Sequence, residues 1–181
     1  MFTIDSAGAV LIIIGFLIEL IIAIKSQADR HLVKDMLANL TTGLGLVFTG
    51  LFMRGVALGV YSFVYSLAFF RPELTIWLWI AGFLGCDFVS YVYHSLGHRT
   101  RLLWAAHVTH HSSLYFNLSV GLRVNCIHSI YRFLFWAPLC LFGIPPWMIF
   151  FFESLTTLWN VLIYTEKIRK LGLLDLVFNT P

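Results

Sequence analysis

Charge is scarce in this sequence. Only 12% of its residues are Asp, Glu, Lys or Arg, and 12 basic side chains against 9 acidic ones leave a formal net charge of +3. No basic run with interleaved aromatics occurs, so nucleic acid is excluded as a partner. Cysteine is also sparse. Cys86, Cys126 and Cys140 form no CxxC pair, which leaves neither a disulfide framework nor a thiolate metal site. All three lie in or near apolar segments, where a free thiol behaves as a small hydrophobe. The absence of a GxSxG elbow and of a glycine-rich phosphate loop removes serine hydrolase and phosphate-loop chemistry. There is no internal repeat, no low-complexity tract and no segment that reads as a soluble domain.

What the chain has instead is apolar length. With 59% apolar residues and a mean hydropathy of +0.84, its 181 residues fall outside the range of soluble globular proteins and predict an integral membrane protein. Ala7 to Ile24 is about long enough to span a bilayer and lacks both a preceding basic residue and a cleavage site, so it reads as a retained first span. Glu19 within it is expected to face other helices. Lys25, Arg30, His31 and Lys34 form a short polar loop that the positive-inside rule places in the cytosol.

Asp35 to Phe70 then reads as one crossing plus an interfacial extension, ended by Arg71-Pro72, and Leu74 to about Tyr93 as the return. Arg99 and Arg101 agree with the cytosolic side. Tyr115 to His128 is mixed in polarity and is expected along the membrane surface. Ser129 to Ile163, broken by Pro138, Gly143 and Pro145-Pro146, reads as a helical hairpin that dips in and returns, closed by Lys167, Arg169 and Lys170. The expected architecture is all-α: polytopic membrane helices, about three spans plus a C-terminal helical hairpin, under a cytosolic histidine-rich cap. Residues 1–34 make the first span and cytosolic loop, and residues 35–181 the membrane domain.

Five of the seven histidines, His94, His98, His107, His110 and His111, lie within 18 residues. Helical neighbours at i+3 and i+4 share a face, so HxxxH and HxxHH boxes can converge, and imidazole is the commonest ligand for borderline transition metals. Carboxylates are few nearby, which argues against calcium or magnesium, and iron, zinc, copper or manganese remain. Asp87, two helical turns before His94, is a candidate to orient a ligand imidazole from outside, and Glu166 is a second. Glu166 at i−4 from Lys170 reads equally well as an ion pair, and Asp87 as a helix-interface carboxylate paired with an arginine. Tyr91, Tyr93, Trp104 and Tyr115 suit either a substrate passage or an interfacial aromatic belt. Asn117, Arg123 and Asn125 read as solvated surface, or as groups for a lipid head or an outer water. His128 is expected to cap a helix or sit at the interface rather than to ligate.

The two boxes, in this order and spacing, resemble those of the fatty acid hydroxylase and sterol desaturase superfamily of membrane di-iron oxidases. DFVSYVYHSLGH, LLWAAHVTHHSS, YFNLSVGLR and TEKIRKLGLLDLVFNTP are similar, more narrowly, to its alkylglycerol monooxygenase-like group. The resemblance implies two irons held by His94, His98, His107, His110 and His111, a lipid substrate hydroxylated with O2, and an external electron donor, with tetrahydrobiopterin as a candidate. It also implies a multi-pass position in the endoplasmic reticulum membrane, with the histidines toward the cytosol. Members of the family carry a third HxxHH box beyond Asn-Thr-Pro and a histidine where this chain has Tyr164, so residues 35–181 are expected to be an incomplete domain. The rival reading is a non-catalytic metal-binding protein or a partner of intact relatives. A metal transporter would need ionisable residues spread through the spans rather than clustered at one edge.

Overall fold

The computed structural model describes residues 2–26, 30–164 and 171–176. These residues form helices and turns, with no strand among them. The first helix, α1, is Phe2–Lys25. The second, α2, is one uninterrupted helix, Arg30–Ser66, of 37 residues, or about 55 Å at 1.5 Å per residue. It starts earlier than the sequence predicts and takes Arg30, His31 and Lys34 into its first turns. Its glycines would weaken a helix in water. In an apolar surrounding, however, a broken backbone hydrogen bond has no water to replace it, and no proline intervenes to force the break.

Residues 67–75 reverse the chain. The guanidinium of Arg71 donates to the Ser66 carbonyl at 3.1 Å and lies over the Tyr65 ring, which closes the end of α2. Helix α3, Ile76–Arg99, runs back and carries the first histidine box in its last turns. A short helix α4, Arg101–His107, and a 3-10 turn, His110–Ser112, carry the second box. The segment expected along the membrane surface contains a 3-10 turn, Leu118–Leu122, with Ser119 and Val120 buried. Its first N–H, from Leu118, is accepted by Glu19 of α1 at 2.8 Å, so Glu19 does face its neighbours.

The hairpin follows: α5 His128–Tyr131, α6 Phe133–Leu141 and α7 Pro146–Leu162. Helix α6 has 9 residues, about 14 Å, too short to cross a hydrocarbon core of roughly 30 Å. Its turn uses Gly143 at φ 81°, where a Cβ would lie 2.7 Å from the Phe70 carbonyl oxygen and 2.5 Å from Pro72. Only glycine fits both the backbone angle and the space.

Ala57 and Tyr61 of α2, Leu78 and Cys86 of α3, Trp136 and Cys140 of α6, and Met148, Ile149 and Phe152 of α7 form the main core. At Gly82 of α3 a Cβ would stand 2.7 Å from the Met148 sulfur, so the missing side chain is what lets α3 and α7 approach. Outside this core, α2 and α3 are long and apolar enough to cross a membrane, and only 11% and 17% of their apolar windows are buried. Phe48, Phe52 and Trp77 point away from the protein, a surface suited to lipid.

The bundle has two distinct ends. Phe69 N–H donates to the Leu141 carbonyl at 2.9 Å, which puts the α2–α3 turn beside the hairpin tip. At the other end, Ser113 donates to Asp35 at 2.5 Å, which ties the start of α2 to the histidine boxes.

Candidate metal centre

His94 and His98 stand one turn apart on the last turns of α3, hence on one face. Thr100 then leaves the helix in extended geometry, its hydroxyl returning to the Leu96 carbonyl at 2.9 Å. That turn folds α4 back along α3, where the His107 ring rests 3.4 Å from the position a Cβ would take at Gly97. His111 follows one turn after His107, and Trp104 stacks against it at an interplanar angle of 24°.

The four Nε2 atoms meet. His94 and His98 are 3.1 Å apart, His98 and His107 3.3 Å, and His107 and His111 3.1 Å. All four ligand atoms lie within 4.8 Å of one another. Ligands about 2.1 Å from one ion stand about 3.0 Å apart at right angles and about 3.4 Å apart in a tetrahedron, so the three neighbouring spacings suit a shared cation, while the widest pair would have to draw in to about 4.2 Å or less. Hydrogen bonding alone does not explain it, because a neutral imidazole has a single N–H and cannot satisfy several ring nitrogens at once.

The electrostatics point the same way. Burial, together with four neighbouring imidazoles, pushes His107 down to about 3. Burial and His111 push His110 down to about 4. His111 is lowered by burial and by His98. These rings are therefore neutral at pH 7, the form in which imidazole offers a lone pair to a metal.

His110 does not join the quartet. Its Nε2 lies 2.5 Å from the Tyr164 hydroxyl, and its Nδ1 is buried. His128, expected at a cap or interface, is instead buried against His107, ring centroids 5.9 Å apart. Its Nδ1 bonds to the Tyr93 hydroxyl, its Nε2 is buried, and burial lowers its pKa. Sequence spacing passed over His128 because it lies outside both boxes. The signal that could have found it is the tyrosine immediately before His94, which turns toward it.

Asp87 is exposed on α3, about 10 Å along the axis from His94, and no hydrogen bond joins it to a histidine among the described residues. Glu166, Lys167, Arg169 and Lys170 lie outside the described residues. Tyr91 is exposed on α3. Arg123, read from the sequence as surface, forms an ion pair with Asp35 at 3.0 Å with both side chains mostly buried. A pocket of about 230 Å³ opens beside the second box, lined by His110, His111, Tyr115, Phe116, Val120 and Tyr164 among others.

Two helices long and apolar enough to cross a membrane, with four convergent imidazoles at one end that could hold a metal ion, define a helical protein of the histidine-box class. The chain belongs to the fatty acid hydroxylase family, whose family model matches residues 79–181. It is similar to alkylglycerol monooxygenase of Danio rerio, 33% identical over 168 residues, which is 91% of this chain and 37% of that protein. The Homo sapiens alkylglycerol monooxygenase is 34% identical over 169 residues, 91% of this chain and 38% of that protein. The Caenorhabditis elegans one is 28% identical over 163 residues, 89% and 32% respectively. The chain thus spans under two fifths of the length of these relatives. No solved structure matches it.

Proposed function

We propose that this chain carries the first two histidine boxes of an iron-dependent membrane monooxygenase that hydroxylates a lipid C–H bond, with ether lipids of the alkylglycerol type as substrate. The observation that carries this is the convergence of Nε2 from His94, His98, His107 and His111. These four imidazoles would hold iron, and His110 with Tyr164 would border a neighbouring position. Iron, when bound, supplies the redox chemistry with O2 that protein side chains lack. In the net reaction a C–H bond next to the ether oxygen becomes C–OH. One oxygen atom of O2 enters the product, the other leaves as water, and two electrons and two protons are consumed. The resulting hemiacetal collapses to an aldehyde and a glycerol derivative.

The chain's own residues bind and orient the substrate. The pocket beside His110 and His111 is smaller than the ~300–1,000 Å³ of whole-ligand sites, which suits a head group or a chain segment entering from the membrane. Phe116 and Tyr164, in ring contact with each other, give it an aromatic wall. Electrons come from outside, and tetrahydrobiopterin is the proposed reductant. The proposed location is the endoplasmic reticulum membrane with the histidine end toward the cytosol, as Lys25, Arg30, Lys34, Arg99 and Arg101 favour by the positive-inside rule. The domain division at residues 34 and 35 is proposed as functional only, because α2 runs continuously across it.

The test is iron per chain by elemental analysis, with O2 consumption and aldehyde release from an ether lipid in the same membranes. Bound iron with lipid-dependent O2 consumption supports the enzyme. A second reading, a metal-binding membrane protein that acts as a partner of longer relatives, is favoured by the withdrawal of His110 from the quartet. Bound metal without turnover would support it.

A further inference from the structure

Only His107 of the second histidine box stands on an α-helix. His110 and His111 sit in a short 3-10 turn, and such turns have poor hydrogen-bond geometry of their own. We infer that Arg123 is the positioning residue of the metal centre, fixing this turn to α2 through Asp35 and Asn39. The inference rests on the metal-site reading above and deepens it.

Arg123 follows the Leu118–Leu122 turn and reaches both partners. Its Nε donates to the Thr109 carbonyl at 3.1 Å and to the Ser112 hydroxyl at 2.9 Å, the residues on either side of His110 and His111. Its Nη1 donates to the Asp35 carboxylate at 3.0 Å and to the Asn39 side-chain oxygen at 2.7 Å. The other Asp35 oxygen accepts from Ser113 at 2.5 Å, which closes a ring of bonds around the box. Asn39 and Ser119 are fully buried and bond to each other at 2.7 Å, so the far side of the network is anchored in the interior.

A planar guanidinium serves here because it directs several donors at once in a fixed fork, which an ammonium cannot. Metal centres need their ligands within about 0.5 Å of the productive geometry. Arg123 is the side chain that grips both ends of this turn, so the turn would lose that precision when the fork is lost, even with the helices intact.

The experiment measures Co(II) affinity by chelator competition and the visible spectrum of bound Co(II), using the full chain in detergent or nanodiscs. Helicity and the thermal midpoint of the metal-free protein are recorded alongside. Arg123→Lys, which keeps the charge but not the fork, is expected to weaken Co(II) about 10- to 100-fold, as loss of outer partners does, and to shift the spectrum at wild-type helicity. Asp35→Asn should weaken it less, and Ser112→Ala least. Should Arg123→Lys fail to fold, the other two variants carry the test. Wild-type affinity and spectrum in every variant that folds would overturn the positioning role. A wild-type chain that binds no Co(II) or Fe(II) would overturn the metal-site reading itself, an outcome distinct from equal binding by wild type and variants.

Discussion

The hydroxyl of Tyr164 lies 2.5 Å from Nε2 of His110, and this pairing separates His110 from the four histidines whose Nε2 atoms converge. Two adjacent residues of one HxxHH box thus face different partners: His111 meets His107, while His110 meets a phenol 54 residues away.

His107→Ala and His111→Ala are each expected to remove most of the bound metal, because each deletes a coordinate bond from a four-nitrogen site. His110→Ala should retain more. Elemental analysis of the purified variants checks this, and equal loss in all three would show that His110 belongs to the same site. Tyr164→Phe leaves the His110 ring nitrogen unpaired and should cost the metal-free protein about 1–3 kcal/mol, read as a lower thermal midpoint.

At the opposite end, Gly143→Ala should destabilise the protein by about 1–3 kcal/mol, since it adds a Cβ in a left-handed conformation with no room for it. Metal affinity at the histidine end should stay at the wild-type value. A loss of metal matching the loss of stability would mean that the two ends unfold as one unit.

Single cysteines placed at Lys25 and Arg99 in a background without native cysteines should react with a membrane-impermeant thiol reagent from one side of the membrane. A cysteine at Glu73, beside the hairpin tip, should react from the other. Opposite labelling of Lys25 and Arg99 would overturn the proposed topology.

The polypeptide 1–181 expressed alone is expected to oxidise ether lipid far more slowly than the same chain joined to a third HxxHH segment from a relative. Two metals that each prefer five or six positions and keep some open need roughly eight imidazole nitrogens. The quartet with His110 and His128 supplies six, and Tyr164 occupies one of these. Equal product from both forms, measured with iron content in the same membranes, would refute this.

The sequence by itself determined what depends on neighbours along the chain. Apolar length, a chain reversal around Arg71-Pro72, although α2 ends earlier at Ser66, the stop at Gly143 with Pro145-Pro146, and the i+4 pairing of His94 with His98 and of His107 with His111 are local properties. A helix or turn reads them without reference to the rest of the protein. Only the tertiary structure decided which histidine nitrogens converge and which side chains they meet. The Arg123–Asp35 pair joins residues 88 apart, and the bonds of Tyr93 to His128 and of Tyr164 to His110 likewise cross between elements. Such contacts follow from how α2, α3 and the hairpin pack, and packing is set by side chains that meet across the bundle. For the same reason Arg123, a surface residue by its local pattern, is a mostly buried strut in the folded chain.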